Sequence, residues 1–411
     1  MKKELVSMRP HIGIFGKRNA GKSSLINALT GQNTAIVSET PGTTTDPVGR
    51  AMEILPLGPV FIVDTAGLDD SGELGDKRVK KSLEVLGRTD LIILVSAFDD
   101  FSKIDMEFIE AMKKKNEKIL VVFSKSDVGR PDDETVKNLN DKNIPFISVS
   151  SKTDENITVL REKMAKMLPE VITSDVIIRD IVGKDDICVQ VIPIDSAAPK
   201  GRVILPQEQV LRDCLDANSI SVVVQTSELE SALKSLSRQP KLVITDSQAI
   251  EDVARIVPMD IDITTYSIVF SRLKGDLIEY VKGLKSLKEL KDGDTIFIAE
   301  ACTHHSQADD IGRVKLPKWI EKYTGKKLKF VMNPGQMIHK DLSDAKLVIL
   351  CGSCMVNRKE VLCRIETAKS YDIPVTNYGI IISHIHGALG RTIRVFDDVY
   401  KIYQEIFIDG K

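Results

Sequence analysis

Two sets of residues in this 411-residue chain have the types and spacing to do chemistry. One is the run Gly16-Lys-Arg-Asn-Ala-Gly21-Lys22-Ser23, which fits G-x-x-x-x-G-K-[ST]. Its glycines let backbone N–H groups close around phosphate oxygens. Lys22 reaches the terminal phosphates, and the Ser23 hydroxyl, followed by Ser24, can ligate magnesium. The other set is made of thiols: Cys302, with His304 two residues later, and Cys351-Gly-Ser-Cys354. The glycine inside the close pair is expected to turn the backbone so that both thiolates face one point. Three chemistries are open to such a set. A C-x-x-C pair alone suits redox exchange. Zinc would want a fourth ligand such as His304. Three cysteines with an open fourth position suit a [4Fe–4S] cluster.

The residues after the phosphate loop decide the nucleotide. Asp64-Thr-Ala-Gly67 ends an apolar run; Asp64 would hold magnesium through water, and Gly67 would offer its N–H to a γ-phosphate. Ser124-Lys125-Ser126-Asp127 ends another. A carboxylate at Asp127 can accept two hydrogen bonds from guanine N1–H and the amino group; adenine lacks that donor pair and would leave the charge unpaired. Lys125 can lay its stem over the base, and Ser150-Ser151-Lys152 can cover the other base edge. Each piece alone is ordinary loop sequence. In this order, each at a strand end, they specify a guanine nucleotide.

These residues need strands to carry them. Apolar β-rich runs alternate with charged helical stretches, which predicts an α/β chain of βα units and parallel sheets. A first block, 1–170, has strands at His11–Gly16, Val60–Asp64, Leu91–Ala97, Lys118–Ser124 and Pro145–Val149. A second, 175–265, has strands at Ile187–Ile192, Ser221–Val224 and Lys241–Thr245, with helices at Gln207–Ala217 and Glu228–Leu236. A third, 270–411, has strands at Thr295–Ala299, Lys329–Met332, Lys346–Leu350 and Pro374–Asn377. No short-period repeat and no low-complexity linker separates them. All four nucleotide-site runs and all three cysteines fall at or just past strand C-ends, where open α/β sheets place their sites.

Composition narrows the class. Hydrophobic residues make up 42% and charged residues 28%, as in globular chains, and a formal net charge of −2 gives no pull toward nucleic acid or an anionic membrane. No apolar run approaches the roughly 20 residues of a spanning helix, and Met-Lys-Lys-Glu-Leu-Val-Ser-Met lacks the apolar stretch of a secretory signal. A cytoplasmic chain is expected, so its six cysteines are not a disulfide framework. Cys188, Cys214 and Cys363 read as buried thiols, His305 as a polar neighbour, and Trp319 as a packing anchor. His384 and His386 alternate within an apolar run and read as the polar face of a strand.

With Thr40-Pro-Gly-Thr-Thr-Thr-Asp46 between the phosphate loop and Asp64, the first block resembles the translation-factor-like GTPases that carry a Pro-Gly-Thr-Thr switch. The resemblance implies that Thr44, with Thr43 as runner-up, ligates magnesium beside GTP, and that Asn19 helps hold a potassium ion. It also marks two departures. Leu68 stands where Ras-like GTPases orient water with glutamine, so hydrolysis should be slow unaided. Ser124 stands where asparagine is usual; its shorter side chain is expected not to bridge to the phosphate loop, which would weaken nucleotide affinity.

Such a GTPase, followed by an α/β domain and a C-x-H … C-x-x-C domain, resembles the HydF family, GTPase scaffolds of [FeFe]-hydrogenase maturation; Asp64–Gly75 is similar to that family too. The resemblance covers nearly the whole chain. It implies that Cys302, Cys351 and Cys354 bind a [4Fe–4S] cluster, and that the middle block forms a homodimer. It also implies that the chain takes a diiron precursor from radical-SAM maturases to apo-[FeFe]-hydrogenase, without nucleic acid or membrane partners. Members often carry His before the close cysteine pair, where this chain has Leu350, so the fourth ligand is left to His304, Asp309, Asp310 or a displaceable ligand. Two other classes remain: an RNA-acting GTPase, for which Gly387-Ala-Leu-Gly390 is only a formal G-x-x-G, and a zinc-stabilised GTPase.

Overall fold

Continuous apolar runs become strands buried on both faces. The computed structural model describes residues 9–30, 48–65, 85–168, 176–194, 203–300, 311–334, 338, 341–353 and 356–409. It divides into two units, Met1–Ser174 and Asp175–Lys411. In the first, β1 (His11–Phe15), β2 (Val48–Ile54), β3 (Gly58–Asp64), β4 (Leu91–Ala97), β5 (Ile119–Ser124) and β6 (Phe146–Ser148) form one sheet in the order β2-β3-β1-β4-β5-β6. All neighbours are parallel except β2, which runs antiparallel to β3. Every residue of β1, β4 and β5 is buried, as a sheet covered on both faces requires. Ile12, Leu25, Val95 and Leu160 pack on one face, and Phe15, Leu94, Ile109 and Phe123 on the other. The unforeseen strand is β2: Val-Gly-Arg-Ala-Met-Glu-Ile lies at the sheet edge, so it lacks the unbroken apolar run of an inner strand.

The second unit holds two sheets. β7 (Ile187–Val191), β8 (Ile220–Val224), β9 (Leu242–Thr245) and β10 (Asp262–Thr265) form one, in the order β10-β9-β7-β8. β11 (Thr295–Glu300), β12 (Lys329–Pro334), β13 (Ala345–Leu350) and β14 (Val375–Asn377) form the other, in the order β12-β11-β13-β14. Both are wholly parallel. A single apolar core takes Cys188, Leu242, Tyr266 and Val269 from the first sheet's layer and Ile296, Leu347, Val361 and Ile381 from the second's. The segments 175–265 and 270–411 therefore fold onto a common interior. The helices Tyr266–Lys274 and Tyr378–Ile385 pack against each other between the sheets.

His384 and His386 do not sit on a strand. Tyr378–Ile385 is a helix started by Asn377, whose side chain accepts the Ile380 N–H. Gly379–Ser383 are all buried, so the segment is apolar around its circumference and mimics a short alternating run. His384 bonds the Tyr323 hydroxyl at 2.9 Å; burial, with Lys288 nearby, lowers its pKa to about 4, so it is neutral at physiological pH. Cys188 and Cys214 are buried as expected, whereas Cys363 is only half-buried. Trp319 packs on the shared core, edge-on to His386.

The second unit is cross-tied by Arg391, which donates to the carbonyls of Ala254 (2.8 Å), Val257 (2.8 Å) and Ile261 (3.3 Å), and also to Pro258. These carbonyls lie at and beyond the end of the helix Ile250–Ile256, where intrahelical donors run out. Arg391→Met should lower stability by about 2 kcal/mol, the scale of charged hydrogen bonds to buried acceptors, read as a lower urea midpoint for the second unit in the full chain.

Candidate functional site

The phosphate loop leaves the C-end of β1 and enters the helix Lys22–Thr30. Gly16 has φ +146°, and a Cβ there would lie 2.1 Å from the Val95 carbonyl oxygen on β4. No side chain fits, because the loop must press against the neighbouring strand before turning. Asn19 is exposed in the left-handed region, φ +57°, which asparagine tolerates. Lys22 arches back over the loop, its ammonium donating to Gly16 O at 2.8 Å and Lys17 O at 2.6 Å. Ser23 and Ser24 are exposed on the first turn.

Asp64 ends β3 beside Ile14 of β1. Burial raises its pKa above the ordinary carboxylate range, against the pull of Lys22 and Arg50, and its Oδ1 is buried without a hydrogen-bond partner among the described residues. A desolvated carboxylate oxygen beside the phosphate-binding lysine is what a magnesium-water ligand needs. Thr65 fixes the strand end by donating its hydroxyl to Ile14 O at 2.8 Å. Thr43, Thr44, Gly67 and Leu68 lie outside the described residues.

The residues expected to read the base follow β5 and β6. Ser124 is buried and corrects the sequence expectation: its hydroxyl does bridge to the phosphate loop, donating to Ala20 O at 2.7 Å. The bridge closes because the loop comes close, with the Cβ position of Gly21 only 3.3 Å from Ser124 Oγ. The stated ground for weak affinity is therefore gone. Lys125 takes φ +61°, and Asp127 is exposed with Oδ1 accepting the Ser150 hydroxyl at 2.7 Å. Ser150 in turn accepts the N–H groups of Lys152 and Thr153, each at 3.2 Å. Ser151 is half-buried and Lys152 exposed alongside. Ser150 was read only as part of a covering loop, yet it orients Asp127. Its neighbours at a strand end were the available signal.

Lys17 was also missed, since any residue satisfies that motif position. It is buried, with Nζ 3.1 Å from Asp105 and 3.2 Å from Asp100. Burial alone would lower its pKa, but Asp105 and Asp100 outweigh this and raise it. Asp105 also accepts Ser102 N–H at 2.8 Å, so one carboxylate caps the helix Lys103–Lys114 and anchors the phosphate loop.

Of the cysteine set, Cys351 is described; Cys302, Cys354, His304, Asp309 and Asp310 lie outside the described residues. Cys351 stands half-buried just past β13, its N–H donating to Ala299 O on β11 at 3.0 Å. Cys302 follows Ala299 by three residues, and Cys354 follows Cys351 by three. Among the described residues, no group of three or more His, Cys, Asp or Glu side chains is placed to hold a metal ion. The local turn differs from expectation. Ser353, not Gly352, takes the left-handed conformation, φ +52°, and a Cβ at Gly352 would meet nothing within 4 Å.

Comparisons with known proteins divide along the same lines. The family model for the hydrogen maturase F dimerization domain matches residues 177–275, and that for the hydrogen maturase F tetramerization domain matches 278–395. Together they span more than half of the chain. A model described as 50S ribosome-binding GTPase matches 11–125. The tRNA modification GTPase MnmE of Thermoanaerobacter sp. (strain X514) is 43% identical over 117 residues, 28% of this chain and 25% of that protein. GTPase Der of Kosmotoga olearia is 37% identical over 123 residues, 28% of each chain. The chain thus spans about a quarter of the length of the curated relatives it matches. Among solved structures, Aquifex aeolicus Era bound to GDP.AlF4- aligns with a TM-score of 0.34 and 20% identity, over 52% of this chain and 92% of that one. The G domain of T. maritima FeoB aligns at 0.30 and 25% identity, over 39% and 98%. Among the described residues no helix is long and apolar enough to cross a membrane.

Asp64 sets function against stability. Asp64→Asn should cut GTP hydrolysis by a factor on the order of 10², the scale of a lost electrostatic contact in the transition state. The metal-free, nucleotide-free chain should melt no lower than the parent, because a buried charge with a raised pKa is removed. Thermal unfolding with turnover at saturating magnesium checks both. The sign predicts the parent's own trend: with a folded pKa above the unfolded one, Asp64 stabilises at low pH and that contribution fades as pH rises through the folded value.

Proposed function

The chain belongs to the hydrogen maturase F family, and on that premise we propose that it hydrolyses GTP as a switch while carrying a diiron precursor to apo-[FeFe]-hydrogenase. The observation that carries the reading is the co-occurrence, in one chain, of a complete phosphate loop with its Ser124 brace and a second unit matched by both hydrogen maturase F models. Lys22 and the loop amides hold the phosphates, Ser23 and Thr44 ligate magnesium, Asp64 acts through its water, and Gly67 senses the γ-phosphate. Asp127, aimed by Ser150, reads guanine between Lys125 and the Ser151–Lys152 segment. Asn19 helps hold potassium, which adds positive charge beside the phosphates. Leu68 offers no water-orienting group. Nucleotide state biases docking of partners through the loops around Thr40–Asp46 and Asp64–Asp76.

Cys302, Cys351 and Cys354 would hold a [4Fe–4S] cluster, which when bound supplies an iron with an exchangeable fourth position. That position falls to His304, Asp309, Asp310 or an incoming ligand of the cargo. Radical-SAM maturases supply the diiron group and the apo-hydrogenase receives it. Assembly fits the edge strand β8, where Ile220 and Val223 are 47% and 49% exposed and Leu215 on the adjoining helix 60%. An unpaired edge with exposed apolar side chains is suited to strand pairing across a homodimer two-fold. The work is expected to be cytoplasmic.

Two measurements test this. Anaerobic reconstitution with iron and sulfide should give a brown protein with a reduced-state EPR signal, lost in Cys302→Ser, Cys351→Ser and Cys354→Ser. A colourless chain holding one zinc would replace the cluster by a structural metal, and GTP turnover stimulated by RNA would favour an RNA-acting GTPase instead. Separately, exchanging potassium for sodium should slow GTP turnover at least tenfold in the parent and change little in Asn19→Ala; equal parental rates in both salts would remove the ion.

A further inference from the structure

The second unit is built from one half-unit used twice. Three segments recur in order: Gly201-Arg-Val-Ile-Leu-Pro206 as Gly312-Arg-Val-Lys-Leu-Pro317, Lys241-Leu-Val-Ile244 as Lys346-Leu-Val-Ile349, and Thr264-Thr-Tyr-Ser-Ile-Val-Phe-Ser271 as Thr376-Asn-Tyr-Gly-Ile-Ile-Ile-Ser383. The sheets agree in strand order and in register. Leu242 pairs with Cys188 as Leu347 pairs with Ile296, and Ile244 pairs with Thr264 as Ile349 pairs with Thr376. A shared register at corresponding residues does not come from composition, since a one-residue slip would turn every side chain to the other face.

The halves meet through the crossing helices Tyr266–Lys274 and Tyr378–Ile385, close enough that a Cβ on Gly379 would lie 2.5 Å from Ser267 Oγ. The contacts there are reciprocal. Lys274, at the end of the first helix, donates to Ser353 O at 3.2 Å and Val356 O at 2.9 Å in the other half. His386 occupies the matching place after the second helix, and its Nδ1 lies 3.1 Å from Glu251, which stands where Val356 does in the other copy. Lys274 thus reaches the loop after the other half's third strand, and His386 reaches the first turn of the helix that follows the loop there. In one direction that loop begins with Asp246; in the other it begins with Cys351.

Resting on the reading of the cysteines as metal ligands, we propose that Lys274 is a positioning residue of the thiol site, supplied by the half-unit matched to dimerization. The lysine is buried, 3% exposed, and the two carbonyls it holds bracket position 354. The tie is doubled, because Arg358, just beyond the loop, donates to Leu273 O at 2.7 Å. A buried ammonium spends its desolvation cost only where carbonyls or negative charge repay it. Here it holds the carbonyl two residues after Cys351 and so brings a positive charge to the loop that begins with that thiol.

The test uses the full chain carrying Lys274→Met or Lys274→Gln. The pH-independent alkylation rate of the Cys351 thiolate in the metal-free protein, read by peptide mapping with Cys363 as internal reference, should be at least tenfold faster in Lys274→Met, because the loop is no longer held. Lys274→Gln, which keeps donors for the two carbonyls, should restore protection. After anaerobic reconstitution, both variants should favour the oxidised cluster about tenfold more than the parent, a fall of about 59 mV for a one-electron couple. Equal alkylation of Cys351 in parent and Lys274→Met, with unchanged melting and GTP turnover, overturns the proposal. So does a Lys274→Gln chain that behaves like Lys274→Met in alkylation. If the parent takes up no iron, the cluster reading fails, while the alkylation series still decides the role of Lys274.

Discussion

A strand buried on both faces has no place for chemistry along its length. β1, β4 and β5 are buried at every position, and each polar side chain there would have to find a partner in a dry interior. Function is therefore pushed to the strand C-ends, where parallel strands release the chain toward the helix layer. Asp64, Ser124 and Cys351 all stand at or just past such an end. The constraint also explains Gly16. To bring amide groups together at the end of β1, the backbone must run against the Val95 carbonyl, and only the absence of a Cβ permits it.

Loops freed in this way need to be held, and this chain holds them with long cations, buried at Lys17 and Lys274 and half-buried at Arg391. Lys17 ties the phosphate loop to Asp105, Lys274 ties the cysteine loop to the neighbouring half-unit, and Arg391 gathers carbonyls beyond a helix end. Each is a long cation whose stem lies in apolar surroundings and whose donors are used on groups that the local secondary structure leaves over. A cation with several donors suits this task better than a hydroxyl, because loop carbonyls rarely point the same way. Where two groups already approach closely, a hydroxyl is enough, as Ser124 and Ala20 demonstrate at 2.7 Å.

The nucleotide site was legible because its signals are local. A phosphate loop is contiguous, and its partners Asp64 and Asp127 follow apolar runs that can be nothing but inner strands. The edge strand β2 and the four-residue β10 were not legible, since neither needs an unbroken apolar run. The helix holding His384 was misread for the opposite reason: apolar on every side, it carries no period to recognise. The role of Lys17 and the bond from Ser150 to Asp127 were not legible, because the partners Asp105 and Asp127 lie far along the chain and such pairings are set by packing rather than spacing. Ser124 shows the converse error, in which side-chain length was weighed without the distance it had to span. The repeat in the second unit escaped because its three similar segments are short, widely spaced and separated by stretches of unequal length.

The duplication also explains how one fold came to do two things. Corresponding positions in the two half-units differ at the edge strands β8 and β12 and at the end of the third strand. Ile220 and Val223 on β8 answer to Lys329 and Met332 on β12, by the registers with β7 and β11. A lysine on an edge strand discourages pairing, whereas exposed branched residues invite it. At the third strand's end, Asp246 in the first copy answers to Cys351 in the second. The copy with the exposed branched residues at its edge has a carboxylate at its strand end, and the copy with the lysine at its edge has the thiol. Lys274 belongs to the first copy in sequence and, by its hydrogen bonds, to the loop after the third strand of the second.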